Sequence, residues 1–286
     1  MSEPRGSSGP TPVGRRVDDA VPAVASASVV LVRDGREHAG VEVLLLERHL
    51  DADFAGGALV FPGGKVDERD RELDAARWTG RSLARWCEEL GTDTEREALG
   101  VLVAAIRETF EEAGVLLAHR EDGSPLDADA LRRSSVVEAR RRLTERGASW
   151  DWRPWLSDEG FVLDLGALAF WSWWVTPVGQ HKRFDTRFLI AHLPPGQVAH
   201  YDDVETTSLR WITPADALDE QSRAEATIIF PTRRNLAALA AYGSADEVWE
   251  AARDGRVDRR RIQPSIVLVD GRPMVQHPYE DVPSPI

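Results

Sequence analysis

Apolar positions along this chain recur in two rhythms. "SASVVLVRD" (26–34) and "VEVLLLERH" (41–49) are rich in Val and Leu. The turn cluster "GREHAG" between them predicts a hairpin or two neighbouring strands. A third short strand is predicted at "ALVFP" (58–62), which follows the loop "LDADFAGG" and runs straight into Gly63-Gly64. From 71 to 99 the rhythm turns helical, with Trp78, Leu83, Trp86 and Leu90 at helical spacing until "GTDT" interrupts it. Thr94 is placed to cap the next helix, predicted over about 95–113 and ended by Gly114.

Between 120 and 160 one further helix is predicted, "DADALRRSSVVEARRRLTERGA", whose arginines face solvent or form part of a binding wall. β character returns in "LAFWSWWVTP", "TRFLIAHLP" and "TTSLRWI", with the alternation of a half-buried sheet. "TPADAL" (213–218) opens a helix with Thr213 as N-cap and Pro214 at its first position. Two more helices follow, one after Pro231 and one at "SADEVWEAARDG", where Ser244 and Glu247 make a capping box and Gly255 ends the element. "PSIVLVDG" reads as a last strand, and the chain shows no internal repeat.

The composition allows a substantial core: 286 residues, 42% hydrophobic. A formal charge of −13 argues against a nucleic-acid partner, which needs a basic face. An anionic substrate would then require local positive charge from a metal or from arginines. Only Lys65 and Lys182 are lysines, so nearly every cation is a guanidinium suited to forked contacts with phosphate or carboxylate. Cys87 is the one cysteine, which excludes an intrachain disulfide and fits a reducing cytoplasm. The first 22 residues carry Pro, Gly and Ser without an apolar run and read as a disordered tail. The longest apolar stretch, "LGALAFWSWWV", is too short to cross a bilayer, so no membrane association is expected.

Candidate chemistry concentrates in "AAIRETFEEAGVLL" (104–117). At about 100° per residue, Glu108, Glu111 and Glu112 share one stripe of the helix, opposite Ile106, Phe110 and Ala113. Like charges at this spacing repel, and a helix C-terminus prefers cations. Arg107 reaches Glu111 at i+4, yet residues 115–118 supply no further Lys or Arg. By themselves the residues leave open a solvated acidic face or an oxygen-only site for Mg²⁺ or Mn²⁺. Zinc has little support, because the seven histidines show no paired spacing, and no G-x-S-x-G elbow is present. The Trp-rich pieces "WDWRPW" and "WSWW" read as core packing or an interface, with nucleobase stacking as the alternative.

Together, "FPGGKVDERDR", "RETFEEAGV" and "DDVETTSLRWITPADAL" resemble the Nudix hydrolase superfamily, whose box is G-x5-E-x7-R-E-U-x-E-E-x-G-U, with U a bulky apolar residue. Arg107, Glu108, Glu111, Glu112, Gly114 and Val115 match its second half, with Thr109 at the first U, and Gly64 begins its first half. Asp70 stands where the box has Glu, and it lies 37 positions before Arg107 where the box has 8, which implies an insertion of 29 residues. A box split in this way resembles the branch containing the animal peroxisomal coenzyme A diphosphatase, as does "LLLERHLDADFAGGALVFPGGKVDERD". Arg48 is followed here by His49, where the related coenzyme A signature has Ser, and a second arginine expected near Phe54 is missing.

The resemblance implies an α/β fold: a Nudix-type α/β/α sandwich with a mixed sheet over residues 23–286. It carries helical insertions at about 71–99 and 120–160 and a C-terminal helical extension at about 213–262. The implied activity is divalent-metal-dependent hydrolysis of a nucleoside diphosphate linked to another group, coenzyme A or acyl-coenzyme A first. ADP-ribose, dinucleotides, nucleotide sugars and a non-catalytic ligand-sensing module are the alternatives. Metal would be held by Glu108, Glu111 and Glu112 with the Gly63 carbonyl. Glu108 serves as ligand or proton acceptor, and Arg107 orients a glutamate. Glu205 is the implied additional acid, with Asp202 and Asp203 as rivals. Gly64, Lys182, Arg183 and Arg187 are candidate substrate contacts, although Asp185 favours an internal ion pair for the cations beside it. Association as a homodimer is left open.

Overall fold

The computed structural model describes residues 11–12, 21–35, 40–50, 55–145 and 150–285. Most of the 22-residue tail and residues 51–54 of "LDADFAGG" lie outside this set. Within the tail, Thr11–Pro12 forms a short antiparallel rung against Ser265–Val269.

One nine-stranded mixed sheet organises the described residues. Its strands in chain order are β1 (Val24–Asp34), β2 (Val41–Arg48), β3 (Ala58–Val60), β4 (Gly63–Lys65), β5 (Ala169–Val175), β6 (Phe184–His192), β7 (Thr206–Ile212), β8 (Thr227–Ile228) and β9 (Arg261–Ile262). The spatial order is β8-β3-β2-β1-β6-β5-β9, with β7 on β2 and β4 on β1. β6 runs parallel to β1 through nine paired positions, and β5 runs antiparallel to β6. Eight α-helices are described: α1 (Leu83–Leu90), α2 (Glu95–Ala113), α3 (Ala128–Leu131), α4 (Ser134–Thr144), α5 (Trp152–Glu159), α6 (Pro214–Ser222), α7 (Phe230–Leu239) and α8 (Ala245–Arg253).

Two apolar layers sandwich the sheet. Side chains alternate across β1, so Ala27, Val29 and Leu31 join the cluster around α2, while Val30 and Val32 join the cluster around α7 and α8. The first layer holds Ile106, Phe110 and Ala113, and Phe110 stacks on Trp155 at 5.8 Å. Trp171 and Trp174 are buried in the second layer, as the core reading of "WSWW" expects. α2 begins at a capping box, with Thr94 Oγ1 accepting from Glu97 N, and ends at Gly114 with φ 67°.

Several elements differ from expectation. The stretch 71–99 forms 3₁₀ turns at Glu68–Glu72 and Ala75–Arg77, a two-residue strand at Trp78–Thr79, and only then α1. Asp74 caps the second turn, and Gly80 at φ 134° redirects the chain, which ends any continuous helix. The single helix expected at 127–148 is two, α3 and α4. Arg133 takes extended backbone between them and pairs with Glu159 at 2.7 Å, and the weak helix formers Ser134 and Ser135 follow. The end of that expected helix lies outside the described residues. At α8 Ser244 does cap, but Glu247 accepts from Gly243 N rather than from Ser244 N. Ser265–Val269 is not the last strand, since it turns back into Arg272–Gln276. No described helix is long and apolar enough to cross a membrane.

Candidate active site

Residues 58–65 build the floor of the site. β1 and β2 pair only through Val32–Asp34 and Val41–Val43, then diverge. β3 fills the fork along β2, with Val60 opposite Leu46, and β4 fills it along β1, with Gly63 opposite Ser28. The chain crosses at Pro62, whose carbonyl accepts from Val29 N at 2.9 Å and from Ser28 Oγ at 2.8 Å. A Cβ on Gly63 would stand 2.4 Å from Ala27 O, and one on Gly64 would stand 2.4 Å from Glu108 Oε1. Backbone approach demands glycine at 63, whereas at 64 a Cβ would push the Glu108 carboxylate from its place.

The last turns of α2 meet this floor. Gly63 N donates to Glu112 Oε2 at 2.8 Å, and Glu112 is only 3% exposed. The Arg107 guanidinium forks onto Asp70, with Nε and Nη2 each 2.9 Å from an oxygen, and Asp70 is 1% exposed. Its Nη1 donates to Glu108 at 2.8 Å and to Glu111 at 3.3 Å, while Nη2 also holds Lys65 O at 2.9 Å. A solvated acidic face is thereby overturned: helix and sheet both shelter the stripe.

Burial sets the electrostatics. Glu111 is pushed up to about 9, chiefly by desolvation and then by Glu108, against the pull of Arg107. Desolvation also raises Glu108 and Glu112, with Glu108 adding to the rise at Glu112. Asp70 is raised by burial although Arg107 opposes the shift. Burial disfavours the charge on Arg107 too, but Glu108 and Asp70 outweigh it and hold the guanidinium well above its ordinary range. The site therefore gathers more sheltered carboxyls than its one central guanidinium can hold ionised.

The cation missing after the helix end comes from α4. Arg140 Nε donates to Glu111 O at 3.0 Å and Nη2 to Glu112 O at 3.1 Å, capping the orphan carbonyls of α2. No local sequence signal marks this contact, which spans 29 residues.

The structure also places the other candidates. Glu205 lines the cleft and faces Arg48 at 3.6 Å. Its rival Asp202 is occupied by its own loop, accepting from Val204 N, Glu205 N and Thr206 N. Asp203, at φ 60°, is not among the lining residues. Lys182, Arg183 and Arg187 do not line the cleft. Arg183 donates to Thr176 O and Val21 O, and Arg187 donates to Asp185 Oδ1 and to Leu90 O while stacking on Trp173. The internal ion pair with Asp185 thus prevails at Arg187. Arg48, Trp150 and Trp152 line the cleft without having been singled out as site residues. Two sequence features pointed towards them: Arg48 begins the coenzyme A signature, and Trp150 and Trp152 lie in "WDWRPW", for which nucleobase stacking was the alternative to core packing.

The cleft has a volume of about 620 Å³, within the usual range for small-molecule sites. No group of three or more His, Cys, Asp or Glu side chains among the described residues is closed around an ion-sized point. Arg107 draws Glu108 and Glu111, while Gly63 N–H takes Glu112. The donor chemistry nonetheless fits a hard dication: carboxylate oxygens, sheltered from water and crowded beyond their cationic complement.

A mixed sheet between helical layers, with a Gly-Gly strand laid against an acidic helix end, defines a Nudix-type hydrolase. The family described as the NUDT19 Nudix domain matches residues 76–239. Acyl-coenzyme A diphosphatase NUDT19 of Gallus gallus is 30% identical over 267 residues, covering 80% of this chain and 70% of its own. The Xenopus laevis protein of the same name is 28% identical, covering 72% of this chain and 62% of its own. A crystal structure of a Nudix hydrolase from Alicyclobacillus acidocaldarius, 29% identical, covers 79% of this chain and 95% of its own at a TM-score of 0.66. The chain belongs to the NUDT19 family of Nudix hydrolases. Enzymes of this kind generally use divalent metals.

Proposed function

We propose that the chain is a divalent-metal-dependent diphosphatase of coenzyme A or acyl-coenzyme A. The observation that carries the reaction type is the sheltered trio Glu108, Glu111 and Glu112 against the Gly63-Gly64 floor. The substrate class is supported by relatives named for acyl-coenzyme A that cover most of this chain.

Glu108, Glu111 and Glu112 would hold Mg²⁺ or Mn²⁺ with the Gly63 carbonyl. Such an ion supplies charge neutralisation at the phosphate oxygens and a more acidic bound water. Arg107 orients Glu108 and Glu111 by charge-assisted hydrogen bonds and, held well above its ordinary range, stays cationic and transfers no proton. Gly63 N–H fixes one oxygen of Glu112. Glu205, presented by the loop that Asp202 organises, is the group for a proton at the attacking water, with Glu108 as the second candidate. Arg48 stands beside Glu205 and lines the cleft as a phosphate contact.

The same reading takes 23–286 as one Nudix unit, with insertions at about 71–99 and 120–160 and an extension at about 213–262. A lone cysteine suits a reducing compartment such as the cytoplasm.

Incubation with Mg²⁺ or Mn²⁺ and a panel of coenzyme A, acyl-coenzyme A, ADP-ribose, dinucleotides and nucleotide sugars tests this. The expected products from coenzyme A are adenosine 3′,5′-bisphosphate and 4′-phosphopantetheine, identified by mass. Cleavage of another panel member with coenzyme A untouched would overturn the substrate. No cleavage of any would favour a ligand-sensing module.

A further inference from the structure

We infer that the cleft has two chemically distinct walls that fix how the substrate lies: its phosphorylated nucleotide half along Lys65, Arg69 and Arg142, its branched aliphatic arm against Phe61, Phe184 and Phe188. This rests on the coenzyme A reading above and adds a direction to it.

The first wall belongs to the layer of α2. Lys65, at the end of β4, is exposed, and its ammonium has no ion pair among the described residues. Arg69 donates through Nη1 to Trp150 O at 3.3 Å, and Arg142 lies over the Trp150 ring at 5.6 Å while bonded to Glu138. Two guanidiniums thus stand at Trp150, and Lys65 lines the same cleft. Of the carboxylates on this wall, Asp70 is engaged by Arg107 and Glu145 by Arg141, and Asp67 shares the wall.

The opposite wall belongs to the layer of α7. Phe184, Thr186 and Phe188 alternate along β6 and so share one face of the sheet. Phe61 meets Phe188 edge to face at 6.3 Å, and Ile229 lines the cleft beside them. None of the lysine or arginine side chains that line the cleft comes from β6 or α7.

Glu108, Glu111 and Glu112 stand at the same cleft, where a diphosphate would be cut. Coenzyme A is asymmetric about that bond. One half is a purine nucleotide with an additional phosphate on its ribose, which suits cations and an aromatic face. The other half begins with a quaternary carbon bearing two methyl groups, which suits phenyl rings and repays exclusion from water. The reverse orientation would bury the methyl groups among cations and set a phosphate against phenyl rings with no lysine or arginine from that wall to neutralise it.

The test uses the full chain and two non-hydrolysable probes, adenosine 3′,5′-bisphosphate and pantetheine, titrated separately and followed by ligand-observed NMR, with circular dichroism confirming that each variant folds. Lys65→Ala and Arg142→Ala should weaken the bisphosphate by about tenfold each, the loss expected for a charged hydrogen bond, and leave pantetheine binding in place. Phe184→Ala and Thr186→Asn should do the opposite. In turnover, the first pair should erase any preference for coenzyme A over its 3′-dephospho form. Swapped dependences, or equal losses for both probes in every variant, would overturn the orientation. Selective binding without hydrolysis of coenzyme A would leave the two walls standing and remove only the diphosphatase reading.

Discussion

Asp70 and Arg107, 37 residues apart, close on each other as a forked, buried pair with two contacts of 2.9 Å. The insertion that splits the acidic motif therefore loops out between two positions that remain joined. Glu68 and Glu72 pair with Arg96 on the first turn of α2, so the turn carrying Asp70 is tied to the same helix at a second point. Shortening the acid from Glu to Asp leaves both oxygens engaged.

Removing one partner strands the other charge in a sheltered place. Asp70→Ala should destabilise the protein by about 3–5 kcal/mol, the range for breaking a buried ion pair from one side. Urea unfolding at neutral pH measures it, and a change near zero would show that the pair is incidental.

Gly64 governs Glu108 by proximity, since an added Cβ would occupy the carboxylate's place. Gly64→Ala should lower kcat by about 10²-fold, the penalty for displacing a reacting group by about 1 Å, with the far-UV spectrum unchanged. Full activity would mean that Glu108 is not required at that position.

In the metal-free protein, the carboxyls of Glu108, Glu111 and Glu112 all sit above their ordinary range, Glu111 at about 9. The folded state therefore holds more protons than the unfolded state above the ordinary value of 4.5, so stability falls as pH rises from there to about 9. Thermal midpoints measured in chelator should decline across that window, and Mg²⁺ should raise them most at its alkaline end. Glu111→Gln should flatten the decline, and both Glu111→Gln and Glu112→Gln should abolish most turnover. A midpoint independent of pH would count against the crowding.

Arg140 caps the helix that presents these acids. Arg140→Ala should cost about 1–3 kcal/mol, from lost charged hydrogen bonds and the lost dipole complement. Arg140→Lys should recover only part, because an ammonium lacks the fork that spans two carbonyls. Chemical denaturation of the three proteins side by side decides it.

Legible in the chain alone were α2 from Thr94 to Gly114, the adjacency of β1 and β2, the helix start at Thr213, and the stripe of Glu108, Glu111 and Glu112. Each follows from caps, periodicity and turn residues acting within a few positions, where the backbone's own hydrogen bonds decide. That Asp70 and Arg140 serve Arg107 and α2, and that Arg187 belongs to Asp185, came from tertiary packing. It also brought Trp150 into the cleft and left Trp171 in the core. Those outcomes depend on which buried faces meet once the sheet closes, and no period in the chain encodes a partner dozens of residues away.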